Sequence, residues 1–356
     1  MALSASLAGA AAAADAGNYE LNDSHFHLTN YVQQGTDIHR FLEIMGNKVG
    51  RVAIFGIPLQ QMWSYENSQD FAPTYYLQSD APLYYYSFTD AWIASEYRSL
   101  TRAEQARFDP MITGFNPADM YAVDHIRRVL RTFPGVFSGI GEFTIHKEFV
   151  SAKVAGGEPS LANRALDRIF DFAGEAGLIV LIHNDVDVPF AQENATPVYL
   201  QQMRDLLLRH PETTVIWAHV GLGRVVHPVT SQAGAGAAER TANQVGLVER
   251  ILSEPKLQHL YFDISWSEVA KYLVATPQSL ERTAYIINRF PDRFLFGTDE
   301  VAPNDQATYL RVYRQYDPLW QLLTPEAKQK VLKGNYERLF DAARVKVRKW
   351  EAANLQ

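Results

Sequence analysis

The chain has 356 residues, which allows either two domains or one barrel with insertions. Asp and Glu number 40 against 33 Lys and Arg, and the net charge of −7 argues against a nucleic-acid-binding surface, which needs a basic stripe. The absence of cysteine excludes disulfide bonds, thiolate nucleophiles and cysteine-ligated zinc sites.

The amino terminus is rich in alanine and other small residues. Residues 2–14, followed by Asp15-Ala16-Gly17, resemble the apolar region and cleavage site of a signal peptide, although the basic segment that normally comes first is missing. We expect an export signal and a periplasmic or exported protein, in preference to a disordered tail. No later apolar run reaches the roughly 18 residues of a transmembrane helix.

Eight apolar segments predict strands that alternate with helices. In chain order they are Tyr19–Leu28, Arg51–Ile57, Met111–Phe115, Phe137–Phe143, Leu178–His183, Thr214–His219, Leu260–Ile264 and Arg293–Thr298. Helical patterns lie between most of them, as in Leu161–Ala176, which we expect Ser160 to cap and Gly177 to end. The alternation predicts an α/β fold, a (β/α)8 TIM barrel. A doubly wound open sheet is the alternative, but the glycine-rich phosphate turn after its first strand is missing.

Three connections exceed ordinary loop length. The first, Leu59–Arg107, follows the second strand and is rich in Tyr and Trp, so it forms either an aromatic lid or a packed insertion. The others are Lys147–Ser160 and Val225–Gln244. All three leave from the carboxyl ends of strands, the face that carries the active site in such barrels.

We place the barrel at residues 18–343. It lies between the Ala-rich segment 1–17 and a C-terminal helical tail, residues 344–356. On that tail we expect a solvated basic face, formed by Arg344, Lys346, Arg348 and Lys349.

Histidines and carboxylates stand at the ends of five predicted strands. Each alone has an ordinary explanation, such as a core histidine, a salt bridge or a helix cap. It is improbable that all of these explanations hold together at five strand ends. Imidazole nitrogens and carboxylate oxygens are typical ligands of Zn, Mn and Fe. The sequence therefore predicts a metal centre formed by His25, His27, Glu142, His183, His219 and Asp299.

These motifs resemble the amidohydrolase superfamily, within it the amidohydrolase-related (amidohydrolase 2) group of metal-dependent TIM-barrel hydrolases. The matching segments are DSHFH, GIGEF, LIHND, WAHVG, FLFGTD and the closing helix LKGNYERLF, over roughly residues 19–341. The resemblance implies that His25 and His27 hold a more buried metal together with Asp299. It implies that His183 and His219 hold a more exposed one.

Glu142 would bridge the two metals. Many two-metal members carry a carboxylated lysine at this place on the fourth strand, so single-metal occupancy stays open. One or two divalent ions are implied, with Zn first and Mn or Fe as alternatives.

The implied reaction is hydrolysis of an ester, lactone, amide or phosphoester bond in a small molecule by a metal-activated water. Asp299 would be the general base, and His219 would assist as ligand or as donor to the developing oxyanion. A metal-dependent nonhydrolytic decarboxylase of an aromatic or unsaturated carboxylic acid is the alternative, because the same group contains such enzymes with one metal. A bridging Glu142 favours hydrolysis. A non-catalytic metal-binding protein is the third hypothesis.

Four more residues are candidate substrate contacts. Arg224 would clamp a carboxylate or phosphate, unless it forms a structural ion pair. His146 shares the side of Glu142 if the strand continues that far, and Asp185 either binds substrate or orients a ligand. Trp266 would line the pocket. The expected partners are a small-molecule substrate and a possible second copy of the chain, with no nucleic acid and no membrane span.

Overall fold

The computed structural model describes residues 19–30, 34–57, 69–70, 86–147, 160–188, 197–223 and 245–355. Within these ranges nine parallel strands form one sheet. They are β1 Leu21–His27, β2 Val49–Phe55, β3 Phe108–Ile112, β4 Gly139–Thr144, β5 Ile179–His183, β6 Val215–Trp217, β7 Leu260–Asp263, β8 Phe294–Leu295 and β9 Glu300–Val301.

The sheet closes into a barrel through its last two strands. Its order is β8-β7-β6-β5-β4-β3-β2-β1-β9, so β8 and β9 lie at opposite edges. Only residues 296–299 separate them in sequence, and the backbone N–H of Ser24 in β1 donates to the carbonyl of Phe296 at 3.0 Å. The predicted α/β TIM barrel is confirmed, with its eighth strand divided into two short pieces.

Helices occupy most of the connections between strands. They are Ile38–Met45, Thr89–Ser99, Arg102–Gln105, Ala122–Thr132, Arg164–Ala176, Leu200–Arg209, residues 245–252, Ser267–Leu273, Pro277–Arg289, Gln306–Tyr309, Arg311–Gln315, Asp317–Leu322, Pro325–Gln329 and Asn335–Asn354. The helix predicted from Leu161 begins later, because the side chain of Asn163, rather than that of Ser160, caps it by accepting from the N–H of Ala165. Gly177 ends it as expected, with a left-handed φ of 78°.

Alternation along the strands divides the core into two layers. In β5, Ile179 and Leu181 belong to a cluster inside the barrel, whereas Val180 and Ile182 belong to the larger cluster between strands and helices. Successive strand residues point to opposite faces of the sheet. A strand that is apolar at odd and even positions alike is therefore buried on both faces. The near-continuous apolar runs of the sequence have this cause.

The C-terminal helix closes the amino end of the barrel. Tyr336 donates to the carboxylate of Asp109 at 2.7 Å, and the guanidinium groups of Arg51 and Arg344 pair with the same carboxylate. Arg344 therefore does not lie on the solvated face expected for it, and Arg348 donates to the carbonyl of Phe137.

The third strand begins at Phe108, earlier than the predicted Met111. Asp109 and Pro110 interrupt the apolar pattern there, and the burial of Asp109 depends on arginines distant in sequence. Of the connection Leu59–Arg107, the structure describes residues 69–70 and 86–107, whose helices pack as part of the barrel. Among the described helices, none has the length and apolar character needed to cross a membrane.

Candidate metal centre

Four of the predicted ligands lie on strands and point into the barrel. His25 and His27 are in β1, Glu142 is in β4 and His183 ends β5. In β5, His183 continues the inward alternation of Leu181. All four ligand residues are at most 2% exposed, so they meet in a buried region at the carboxyl end of the barrel.

His219 and Asp299 reach this region through left-handed backbone. Trp217, the last residue of β6, packs in the outer cluster, and a strand continued by two residues would point His219 outward too. Instead, φ is 58° at His219, inside the 3₁₀ turn Ala218–Gly221, and 54° at Asp299. Such values are uncommon for residues other than glycine and often mark functional sites.

The first group of ligand atoms surrounds Asp299. Its Oδ1 lies 3.2 Å from His25 Nε2 and 3.1 Å from His27 Nε2. Glu142 completes the group, with Oε1 at 3.7 Å from His25 Nε2 and Oε2 at 3.6 Å from His27 Nε2. One ligand atom from each of the four residues lies within 4.8 Å of all the others, a spacing that could hold a metal ion.

A second group forms on the other side of the same glutamate. Glu142 Oε1 lies 2.8 Å from His183 Nδ1 and 3.2 Å from His219 Nε2. These three residues also have ligand atoms within 4.8 Å of one another. Glu142 is thus common to both groups and faces four histidines.

Hydrogen bonds orient the histidines of the centre. His25 Nδ1 lies 2.9 Å from Asp263 Oδ2 and His27 Nδ1 lies 2.9 Å from the carbonyl of Gly56. Carboxylates and carbonyls only accept hydrogen bonds, so both Nδ1 atoms donate, and each Nε2 atom is left facing the carboxylates of the centre. His25 Nε2 is buried and makes no hydrogen bond in the described structure. A buried ring nitrogen that makes no hydrogen bond and lies among carboxylate oxygens fits a bound cation.

Asp263 is also part of this centre, although it is not among the residues predicted from the sequence. Its Oδ1 accepts from the backbone N–H of His219 at 2.8 Å and from the hydroxyl of Ser265, while its Oδ2 holds His25. The Ser265 oxygen lies 2.8 Å from His219 Nδ1, which leaves His219 Nε2 facing Glu142. The sequence does carry a sign of this role, because Asp263 is an acidic residue that ends the apolar strand β7. Phe262 packs in the outer cluster, so strand alternation points the next side chain, that of Asp263, into the barrel.

The electrostatics favour positive charge at the centre. Burial alone would lower the pKa of His25, but the charges of Asp263, Asp299 and Glu142 raise it well above its ordinary value. Burial alone would raise the pKa values of Glu142 and Asp299, but His25 and the neighbouring histidines hold both well below their usual range. The charges that stabilise a proton between these groups would also stabilise a metal cation.

The candidate substrate contacts have different surroundings. Asp185 Oδ1 lies 3.0 Å from His183 Nε2, and Trp266 lies against the ring of His219, with ring centroids 5.0 Å apart. His146 lies beyond the end of β4 and stacks on Tyr199 at 3.6 Å, and burial lowers its pKa to about 4. Arg224 lies outside the described residues, as does most of Lys147–Ser160.

Comparison with protein families gives one match that spans most of the chain. The family model described as amidohydrolase matches residues 23–342, from β1 into the C-terminal helix. Comparison with curated proteins gives no significant match.

Solved structures share the fold at low sequence identity. An uncharacterized TIM-barrel protein from Bordetella bronchiseptica superposes with a TM-score of 0.51 and 14% identity, covering 91% of this chain and 99% of that chain. An amidohydrolase from Burkholderia multivorans, solved with bound zinc, gives a TM-score of 0.51 and 11% identity, covering 90% and 99%. These likenesses support the barrel architecture.

Proposed function

The chain belongs to the amidohydrolase family, and from this premise we propose that it is a metal-dependent hydrolase with a two-cation centre bridged by Glu142. The proposed substrate is a small molecule with an ester, lactone, amide or phosphoester bond. Histidine nitrogens and carboxylate oxygens without sulfur favour Zn, with Mn or Fe as alternatives.

The position of Glu142 is the observation that carries the proposal. Its two carboxylate oxygens lie between 2.8 and 3.7 Å from nitrogens of four histidines. A glutamate serving one cation would need to face only one of the two groups. Its place between them supports a bridging role.

In this proposal His25, His27 and Asp299 hold one cation, and His183 and His219 hold the other. When bound, the cations supply Lewis acidity that lowers the pKa of a coordinated water and polarises the scissile group. Two divalent charges would compensate the buried carboxylates of the centre, which otherwise repel one another.

We assign proton transfer to Asp299. Its side chain is 9% exposed, more than the other three members of the first group, so it lies nearest to an entering substrate. Its pKa is held well below the usual range by His25 despite burial, so the carboxylate is ionised at neutral pH. Burial lowers the pKa of His219, which supports a neutral ligand rather than a proton donor.

The test is the number of metal ions per chain, measured by elemental analysis after zinc loading and removal of excess metal. We expect two equivalents in the wild type and about one in Glu142→Ala and Glu142→Gln, because each loses the shared ligand. Glu300→Gln is the matched control, since Glu300 is also buried but pairs with Arg311 at 2.8 Å.

One equivalent in both wild type and Glu142 variants would contradict the bridged centre and favour the decarboxylase. Incubation of the zinc-loaded protein with ester, lactone, amide and phosphoester panels, alongside aromatic and unsaturated acids assayed for carbon dioxide release, separates the two reactions. Absence of turnover on all panels with two bound metals would favour the non-catalytic protein.

A further inference from the structure

The first residue of the DSHFH motif is buried next to the proposed metal centre. Asp23 lies in β1, two residues before His25, and is fully buried. Its carboxylate accepts four hydrogen bonds, two from backbone N–H groups and two from hydroxyls. Burying a carboxylate is costly unless donors compensate it, so the place of this one needs a physical reason.

One carboxylate oxygen of Asp23 joins β1 to residues 296–299, which close the barrel. Its Oδ1 accepts from the backbone N–H of His25 at 3.0 Å and from that of Thr298 at 2.9 Å. His25 is a proposed ligand, and Thr298 comes directly before the proposed ligand Asp299. The same oxygen therefore holds the backbone at one ligand and next to another.

The other oxygen of Asp23 is held by two hydroxyl groups. Its Oδ2 accepts from the hydroxyl of Thr298 at 2.6 Å and from that of Tyr309 at 2.9 Å. Tyr309 ends the helix Gln306–Tyr309, and its ring packs in the outer cluster with Phe26, with ring centroids 5.3 Å apart. A chain of contacts therefore runs from the outer layer through Asp23 to Thr298.

Asp299 needs such support because its backbone is left-handed. Its φ of 54° is uncommon for a residue other than glycine, and such a conformation persists only where surrounding contacts hold it. The N–H of Asp299 donates to the carbonyl of His25 at 2.8 Å. Asp23 binds the N–H of the same His25 and both donors of Thr298, so it holds together the two segments between which this hydrogen bond forms.

We propose that Asp23 is a positioning residue of the metal centre, which holds Asp299 in its left-handed conformation through Thr298 and keeps it beside His25. Tyr309 supports Asp23 from the outer layer. The inference rests on the proposed function, since it takes Asp299 as a ligand of one cation. The placement of that ligand then depends on hydrogen bonds made by residues that do not bind the metal.

The test measures the zinc affinity of the full-length protein by competition with a chromogenic chelator. Asp23→Ala removes all four hydrogen bonds and should lower the affinity about 10- to 100-fold, as loss of the partners that orient metal ligands does. Tyr309→Phe removes one hydrogen bond and should lower it about threefold or more. Asp23→Asn keeps an oxygen for the two N–H groups, and its amide can donate to the two hydroxyls, so it should stay within about threefold of the wild type.

Tyr336→Phe is the matched control for Tyr309→Phe. The hydroxyl of Tyr336 also donates to a fully buried carboxylate, that of Asp109, but at the opposite end of the barrel. Tyr336→Phe should keep wild-type zinc affinity even where urea unfolding shows a similar loss of stability. The visible spectrum of the cobalt-loaded protein reports the geometry of the ligands, and it should change in Asp23→Ala and Tyr309→Phe but not in Tyr336→Phe.

A double-mutant cycle tests whether the effect passes through Asp299. In an Asp299→Ala background, Tyr309→Phe should cause almost no further loss of zinc affinity, because the ligand that it helps to place is missing. This cycle decides the matter if Asp23→Ala does not fold.

An equal loss in both backgrounds, wild-type affinity in Tyr309→Phe, or the same loss in Tyr336→Phe would overturn the positioning role and leave the proposed function intact. A wild-type protein that retains no zinc contradicts the proposed function and, with it, the positioning role that depends on it.

Discussion

At the scale of single residues, Asp263 orients two proposed ligands at once. One carboxylate oxygen holds His25 Nδ1, and the other accepts from the backbone of His219 and from Ser265. Histidines that bind metals usually donate their second nitrogen to such an acceptor, which fixes the tautomer and the ring orientation. Asp263 therefore sets which nitrogen of His25 faces the centre.

We predict that Asp263→Ala lowers zinc affinity by about 10- to 100-fold, because both rings lose their fixed orientation. Competition with a chromogenic chelator measures the affinity. The control is Asp167→Ala, which breaks another Asp–His pair, with His210 at 2.9 Å, away from the centre. Equal zinc affinity in Asp263→Ala and wild type would contradict the orienting role.

At the scale of elements, the interrupted eighth strand brings Asp299 to the histidines. Gly297 lies between β8 and β9, where a Cβ would be 2.6 Å from His25 Cβ and 3.0 Å from Ser265 Cβ. A contact of 2.6 Å is one that real Cβ atoms essentially never show, and a contact of 3.0 Å is tighter than most of them. The glycine of the FLFGTD motif thus permits the close approach of the closing segment to β1 and to the segment after β7.

Gly297→Ala should destabilise the fold by roughly 1–3 kcal/mol through overpacking. It should also weaken zinc binding, since the displaced segment carries Asp299. Gly246→Ala is the matched control, because among the described residues its Cβ would meet only the end of Arg250, at 3.9 Å. Denaturant unfolding of metal-free protein and chelator competition measure the two effects, and wild-type values for Gly297→Ala would disprove the packing argument.

At the scale of the whole molecule, the two ends of the barrel differ in the residues that they bring together. The carboxyl end gathers the proposed ligands, and the amino end is closed by the C-terminal helix, whose Tyr336 and Arg344 bind Asp109. Asp109 is fully buried and also pairs with Arg51 at 2.9 Å. This network joins β2, β3 and the last helix.

Asp109→Ala should cost about 3–5 kcal/mol of unfolding free energy, because it leaves the arginines without their buried partner. Zinc stoichiometry should not change in the folded variant, since the network lies at the opposite end of the barrel. Asp341→Ala is the control: Asp341 pairs with Arg51, but its side chain is 61% exposed, so the loss should stay below roughly 1 kcal/mol. Thermal unfolding together with elemental analysis checks both expectations, and a stable Asp109→Ala would refute the stated role.

Local pattern was enough to predict the barrel and much of the candidate centre. Apolar runs ending in polar residues are short-range features, and the alternation of strand residues gives the inward direction of His25, His27 and His183. The carboxyl ends of parallel strands meet at one mouth, so placing these residues near one another required only the fold. Their role as metal ligands stays a prediction.

The remaining features depended on distant contacts. His219 and Asp299 have left-handed backbone conformations, with positive φ. The alternation of an extended strand therefore does not predict the direction of their side chains. Asp263 meets His25 across 238 positions of sequence, and Lys147 reaches Trp266 only after the barrel closes. The sequence alone determined the fold and the strand ends that carry the proposed ligands, because periodicity and strand termini are local properties. Only the tertiary structure decided how those groups are oriented and what lies beside them, because barrel closure joins segments from opposite ends of the chain.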